Sequence, residues 1–261
     1  MQGLLSVLGL LGWILACAGA PAPAARVLPG LDVLIEDSLD LVQGRRVGLV
    51  SNQGSVDAQG RHAVERLRAA QVNLVALFSP EHGFRGTAAP GEVVLSTRDS
   101  ATGLPIYSLY GRTSSPTDTM LAGIDVMLVD LPDVGARYFT YLATTIEVLR
   151  AAGRRGIPVL VLDRPDPIGG AVQGNVLDTA YRSFVGALAI PMRHGMTLGE
   201  LSRLARHDLS ISVQLTVIPV RGWHRSEALD EAGLPFVWPS PNLHSLESLF
   251  HYPGLCLFEG T

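Results

Sequence analysis

Short apolar runs recur along this chain, and each stops at a polar loop. Residues 46–50 lead into Ser51, Asn52, Gln53 and Gly54, and residues 72–78 into Ser79, Pro80, Glu81, His82 and Gly83. Residues 104–109 lead into Tyr110 and Gly111, residues 124–129 into Asp130, Leu131, Pro132 and Asp133, and residues 158–162 into Asp163, Arg164 and Pro165. Runs this short and this apolar suit strands buried on both faces, as in a parallel sheet covered by helices. Helical spacing fills the intervals. Ala63, Val64, Leu67 and Ala70 share one face of residues 60–70, with Arg61, Glu65 and Arg68 on the other. Residues 138–152 read as a longer helix stopped by Gly153, and 31–42 and 117–122 as further helices. The alternation predicts an α/β fold, a Rossmann-like, mostly parallel sheet with helices on both faces.

In a parallel sheet the carboxyl ends of the strands lie along one edge, where open α/β folds bind ligands. Asn52, Gln53, Glu81, His82, Tyr110, Asp130, Asp133, Asp163 and Arg164 all follow strand ends and so converge there. Helix capping explains any one such Asp or Ser, Asp133 above all, but not the whole set. The densest segment is 79–86, where Pro80 ends the strand and Glu81, His82 and Arg85 follow between glycines. Its plainer reading is a polar turn with a salt bridge.

Several chemistries lack their motif. No Gly-x-Gly-x-x-Gly follows the first strand and no Gly-x-x-x-x-Gly-Lys occurs, so the fold implies no nucleotide cofactor. There is no Gly-x-Ser-x-Gly elbow, no Cys-x-x-Cys and no His-Glu-x-x-His, so neither a serine hydrolase nor a bound metal is expected. The formal net charge of −4, with no basic run, argues against nucleic acid as a partner.

The first charged side chain is Arg26, and the apolar residues 4–17 before it are too few to span a bilayer comfortably. They read as a secretory signal peptide, and Ile14-Leu15-Ala16-Cys17 resembles a bacterial lipobox, although the segment opens without Lys or Arg. The expectation is an exported protein, periplasmic or held to the membrane through acylated Cys17; an uncleaved N-terminal anchor is the alternative. Residues 20–25 form an Ala/Pro-rich tether. The only other cysteine is Cys256, so loss or acylation of Cys17 leaves no intrachain disulfide.

After Gly169 and Gly170 the character changes. Residues 181–190 are largely apolar, and 211–217 alternate as a half-buried strand. Thr197 and Glu200 have capping-box spacing, which takes Glu200 out of the catalytic candidates, whereas His194 beside Arg193 is a candidate ligand contact. Residues 236–242, with Trp238 and two prolines, suit a sugar-stacking loop or a packed connection. The sequence stops at Thr261 just after an apolar run, so a continuation is expected.

Six ordered motifs resemble one family, the exo-β-N-acetylmuramidases, long known only as a domain of unknown function. They are Val50-Ser51-Asn52-Gln53, Ser79-Pro80-Glu81-His82-Gly83-Phe84-Arg85-Gly86, residues 133–141 from Asp133 to Tyr141, Asp163-Arg164-Pro165, residues 194–201 from His194 to Leu201, and Pro239-Ser240-Pro241-Asn242. The resemblance covers roughly residues 28–261. It implies a Rossmann-like catalytic domain, placed here over 26–175 behind a leader and tether over 1–25. A smaller α+β auxiliary domain begins over 176–261, and the active site lies between the two. It also implies release of terminal N-acetylmuramic acid from the non-reducing end of peptidoglycan fragments in bacterial cell-wall turnover, with Glu81 as the acid. Pro132 stands where members more often carry Gln, and Asp166 where Asn is usual. The family also continues beyond Glu259-Gly260-Thr261, so the auxiliary domain is expected to be truncated.

Glycoside hydrolysis usually needs a proton donor and a second group at the anomeric carbon. Glu81 fits the donor, with Phe78 and Phe84 expected to shield it from water. Asp130, then Asp133, are candidates for the second role with His82 assisting; the substrate's N-acetyl group is another. Arg85, Arg137 and Arg164 are candidates to pair with the lactyl carboxylate of muramic acid, since a guanidinium meets a carboxylate with two bonds. Ion pairs with neighbouring aspartates are the competing use. Asn52, Gln53, Tyr110, Tyr138 and His194 complete the candidate substrate contacts. Two other classes compete: a non-catalytic cell-wall sugar-binding lipoprotein on the same fold, and an amidase or esterase, which lacks a nucleophile motif.

Overall fold

The computed structural model describes residues 26–258; the leader, Cys17, the tether and residues 259–261 lie outside them. Strands β1 (Arg46–Ser51), β2 (Asn73–Ser79), β3 (Thr97–Arg98), β4 (Pro105–Ser108), β5 (Val126–Asp130) and β6 (Val159–Leu162) belong to one sheet. Strands β7 (Gln173–Val176) and β8 (Pro191–Arg193) form a separate antiparallel pair, and β9 (Leu215–Ile218) returns to the main sheet. The seven strands run in the order β3-β4-β2-β1-β5-β6-β9, all neighbours parallel except β3 against β4. Without the two-residue β3 this is the doubly wound order, which reverses direction between β1 and β5.

Alternation along the strands builds two cores. Val50, Phe78, Met127, Val129, Val159 and Val161 face one, shared with helices α3 (Thr140–Arg154), α4 (Leu198–Asp208) and α5 (Leu246–Leu255). Leu49, Leu77, Leu128, Leu160 and Leu162 face the other, shared with α1 (Gly30–Asp37) and α2 (Ala63–Ala69). Gly48 sits in a tight spot in the middle of β1: a Cβ there would lie 2.6 Å from the Met127 sulfur and 2.8 Å from Ile124 Cδ1, so those side chains would have to shift to admit one.

Several expectations change. Residues 117–122 make turns, since so short a segment cannot offset the cost of nucleating a helix. Helix α1 ends at Asp37, with a 3₁₀ turn over Leu39–Leu41, and α3 runs through Gly153. The sheet does not stop at residue 175. Strand β9 is its seventh strand, paired with β6, and α4 packs against α3, β6 and β9. In the largely apolar stretch 181–190, Tyr181, Phe184 and Val185 are exposed.

Candidate active site

Strand β2 ends at Ser79, beside Ser108 of β4, and Pro80 turns the chain away from the sheet. His82 and Gly83 then both adopt left-handed backbone angles, φ 66° and 76°. Glycine takes that conformation freely, whereas histidine does so at a cost. Ala88 secures the turn from two sides: its N–H donates to the His82 carbonyl at 3.2 Å, and its carbonyl accepts from His82 Nδ1 at 2.9 Å. A carbonyl can only accept, so Nδ1 carries the proton and the neutral ring keeps its lone pair on Nε2.

Glu81 is held from two sides. Thr140 Oγ1, at the first residue of α3, donates to Oε2 at 2.8 Å, and the Gly91 N–H donates to Oε1 at 3.0 Å. Tyr110 stands beside it in the cleft; burial, then the Glu81 charge, push its phenol up to about 12, so it stays a donor at neutral pH. The rings expected over Glu81 lie elsewhere: Phe78 packs on Tyr107 and Phe84 edge-on to His62. Behind the loop, fully buried Tyr141 accepts from Asn52 Nδ2 at 2.9 Å and donates to the Pro239 carbonyl at 2.8 Å. The β1 loop, α3 and the Pro-rich strap are thereby tied beside Glu81. Sequence reasoning gave Thr140 and Tyr141 no individual role, although both lie in the motif that opens α3.

A cleft of about 300 Å³ opens here. Glu81, His82 and Gly91 line it with Pro90, Tyr110, Tyr138, Phe139, Thr140, Val185, Ser240, Asn242, Leu243, Tyr252 and Cys256, a wall of aromatic and apolar side chains with a few polar groups, as small-molecule sites require. Glu81 is its only carboxylate among the described residues. Tyr138 bonds the Pro253 carbonyl, which ties the wall to α5. Trp238 stands outside the lining and stacks on His244 at 4.8 Å.

The other aspartates are built in. Asp130 is fully buried, with Arg164 Nε 2.6 Å from its Oδ1, while Arg164 also donates to the Val56 carbonyl at 2.7 Å. Asp133 caps no helix; its Oδ2 lies 3.2 Å from His194 Nε2, and Asp166 Oδ2 is 3.8 Å from Nδ1 of the same ring. His194 Nδ1 accepts from the Met196 N–H at 3.2 Å, so Nε2 carries the proton towards Asp133. Burial pushes the His194 imidazolium down, but the two carboxylates outweigh it and the net shift is up. Burial, then the Asp133 charge, push Asp166 up to about 7. Asp163 receives Thr197 Oγ1 at 2.7 Å and the Gly199 N–H at 2.8 Å, and burial pushes it up to about 6. The Thr197–Glu200 capping box is present.

The three arginines are engaged within the protein. Arg85 pairs with Asp99 at 2.9 Å beside an adjoining groove that shares His82 with the cleft, and Arg137 donates to the Asn175 and Ile190 carbonyls at 2.9 and 2.7 Å. Gln53 Nε2 donates to the Trp238 carbonyl at 2.9 Å. Of the twelve residues singled out from sequence, Glu81, His82, Tyr110 and Tyr138 line the cleft, and Asn52 supports it through Tyr141. Asp130 with Arg164, and Asp133 with His194, form buried pairs away from its lining. Among the described residues no group of three His, Cys, Asp or Glu is arranged for a metal.

Residues 47–247 match the family described as exo-β-N-acetylmuramidase NamZ, N-terminal. The chain belongs to this family. It is 42% identical, over 98% of its length, to the peptidoglycan β-N-acetylmuramidase NamZ of Bacillus subtilis (strain 168), of which it spans 64%. A DUF1343 family protein from Bacteroides fragilis NCTC 9343 superposes with a TM-score of 0.83 at 40% identity, covering 90% of this chain and 61% of that one. A second from the same strain gives 0.77 at 35% identity, covering 91% of this chain and 63% of that one. The NamZ match takes in the β2 loop, the α3 motif and the strap that build the cleft.

Proposed function

We propose that this NamZ-family protein is a glycoside hydrolase that releases terminal N-acetylmuramic acid from the non-reducing end of peptidoglycan fragments, with Glu81 as general acid. The observation that carries the reading is the isolation of Glu81: one carboxylate, fixed by the Thr140 hydroxyl and the Gly91 N–H, in a cleft partly walled by aromatic rings. Family membership and the activity named for the Bacillus subtilis relative support the substrate class. The test is incubation with a disaccharide of N-acetylmuramic acid β-linked to N-acetylglucosamine. Free N-acetylmuramic acid should appear, and the reverse disaccharide should remain intact. Binding without turnover would favour a cell-wall sugar-binding protein.

We also infer export, from the apolar residues 4–17 and the lipobox-like Ile14–Cys17. Intact mass after expression in a bacterial host should show a chain that begins at or after Cys17. A cytosolic product that retains Met1 would refute export.

A further inference from the structure

We propose that the group acting at the anomeric carbon is the substrate's own 2-acetamido carbonyl, and that His82 Nε2 accepts the acetamido N–H to hold it there. The inference rests on the hydrolase reading of the same cleft and adds its missing partner. Two-carboxylate hydrolysis needs a second acid in reach of the sugar, and substrate-assisted glycosidases dispense with one. Here Glu81 is the sole carboxylate of the lining among the described residues. Asp130 is neutralised by Arg164 inside the protein, and Asp133 is buried against His194. Freeing either would leave a buried charge without its partner.

His82 has the complementary property. It lines both this cleft and the adjoining groove beside Arg85, and its Nδ1 proton is committed to the Ala88 carbonyl at 2.9 Å. Nε2 makes no hydrogen bond among the described residues and is not sealed from solvent. It is therefore an acceptor on the wall of a cleft where the Thr140 hydroxyl is committed to Glu81. An amide presents one donor, and its carbonyl becomes a better nucleophile as the N–H is drawn towards an acceptor. The left-handed His82 backbone, fixed through Ala88 at both carbonyl and ring, gives that acceptor one position.

The chemistry balances without a further reactant. The acetamido oxygen bonds to C1 as the bond from C1 to the glycosidic oxygen breaks. That electron pair leaves with the oxygen, which takes the proton from Glu81. A bicyclic oxazolinium results, its N–H still directed at His82. Water then attacks C1, gives its proton to the Glu81 carboxylate and returns the electron pair to the acetamido oxygen. The product keeps the β configuration.

The test uses aryl β-glycosides of muramic acid carrying N-acetyl, N-fluoroacetyl, N-difluoroacetyl and N-trifluoroacetyl groups. Fluorine withdraws electrons from the carbonyl, so kcat/KM should fall stepwise, by at least about tenfold across the series. The stable thiazoline analogue of the bicyclic intermediate should bind at least about tenfold more tightly than N-acetylmuramic acid, as expected for a mimic of a high-energy species. His82→Asn, which tolerates a left-handed backbone but shortens the reach, should lose that preference while its thermal melt shows a folded protein. A flat fluorine series overturns the inference, as does a His82→Asn protein that retains the full thiazoline preference. Failure to cleave even the N-acetyl glycoside overturns the hydrolase reading and this inference with it.

Discussion

At the scale of single residues the chain spends its charges in two ways. Glu81 lines a cleft, while most of its predicted partners are consumed inside the fold. An acid that must protonate a departing sugar oxygen contributes roughly 10²- to 10⁴-fold. Glu81→Gln keeps the shape and the Thr140 bond but has no carboxyl proton to give. It should fold normally and lose at least about 10²-fold in kcat on the disaccharide proposed as substrate, and less on an aryl glycoside whose leaving group needs little help. Near wild-type turnover would remove Glu81 from the mechanism. Asp166 offers a prediction about stability. Its carboxyl rises from an ordinary value of 3.8 to about 7 in the fold, so the folded state holds the proton more tightly than the unfolded chain. The associated stability is present below pH 4 and is lost as pH rises through about 7. Asp166→Asn cannot ionise, so at pH 8 it should melt roughly 2–4 °C above wild type, with the gap closing towards pH 4. A gap that is constant with pH would show that ionisation of Asp166 is not the cause. Sequence displayed the residue types of this site but not their partners. Arg85, Arg137 and Arg164 stand beside carboxylates and glycines in the chain, and only the folded loops show that Asp99, two carbonyls and Asp130 take them.

At the scale of elements, five strands of the main sheet were legible because an apolar run bounded by Pro, Asp or Asn has few other uses, and their ends moved by only a residue or two, whereas β9 begins four residues after the start of the alternation at 211. Which strand pairs with which was not legible. The alternation at 211–217 is local, so it announced a half-buried strand without saying that β9 would extend the main sheet beside β6. The same limit hid how the loops are clamped. Arg164, after β6, reaches across to Asp130 at the end of β5 and to Val56 in the loop after β1. Removing one member of a buried ion pair leaves an uncompensated charge and costs about 3–5 kcal/mol. Arg164→Met should therefore lower unfolding stability in urea by about that amount, and adding Asp130→Asn should restore a large part of it. If the double variant is as unstable as the sum of two independent losses, the pair is not coupled as described.

At the scale of the whole molecule, the doubly wound order brings the β1, β2 and β5 loops together near the point where the strand order reverses, and the strap at Pro239 closes over them through Tyr141. That the polar loops share one edge follows from a parallel sheet and was readable. That they separate into an open cleft and a buried ionic layer depends on side-chain reach, which no spacing encodes. The separation has a consequence for ligand recognition. N-acetylmuramic acid carries a lactyl carboxylate, yet no Arg or Lys lines the cleft among the described residues. If the sugar binds there, neutral donors and aromatic faces must hold it, and such contacts are insensitive to ionic strength, unlike exposed ion pairs. A ligand at about 100 times its Kd stabilises the folded state by about 2.7 kcal/mol. At about 2–4 °C per kcal/mol, N-acetylmuramic acid should raise the melting temperature by roughly 5–10 °C. The rise should be nearly the same in dilute buffer and in about 0.5 M salt, where the screening length has fallen well below 10 Å. The shift should shrink when the cleft wall is altered, as in Tyr110→Ala, and persist in Arg85→Met, whose guanidinium serves Asp99 beside another groove. A shift that collapses in salt, or that disappears with Arg85, would mean that a cation does face the lactyl group and that the arginine exchanges partners when the sugar arrives.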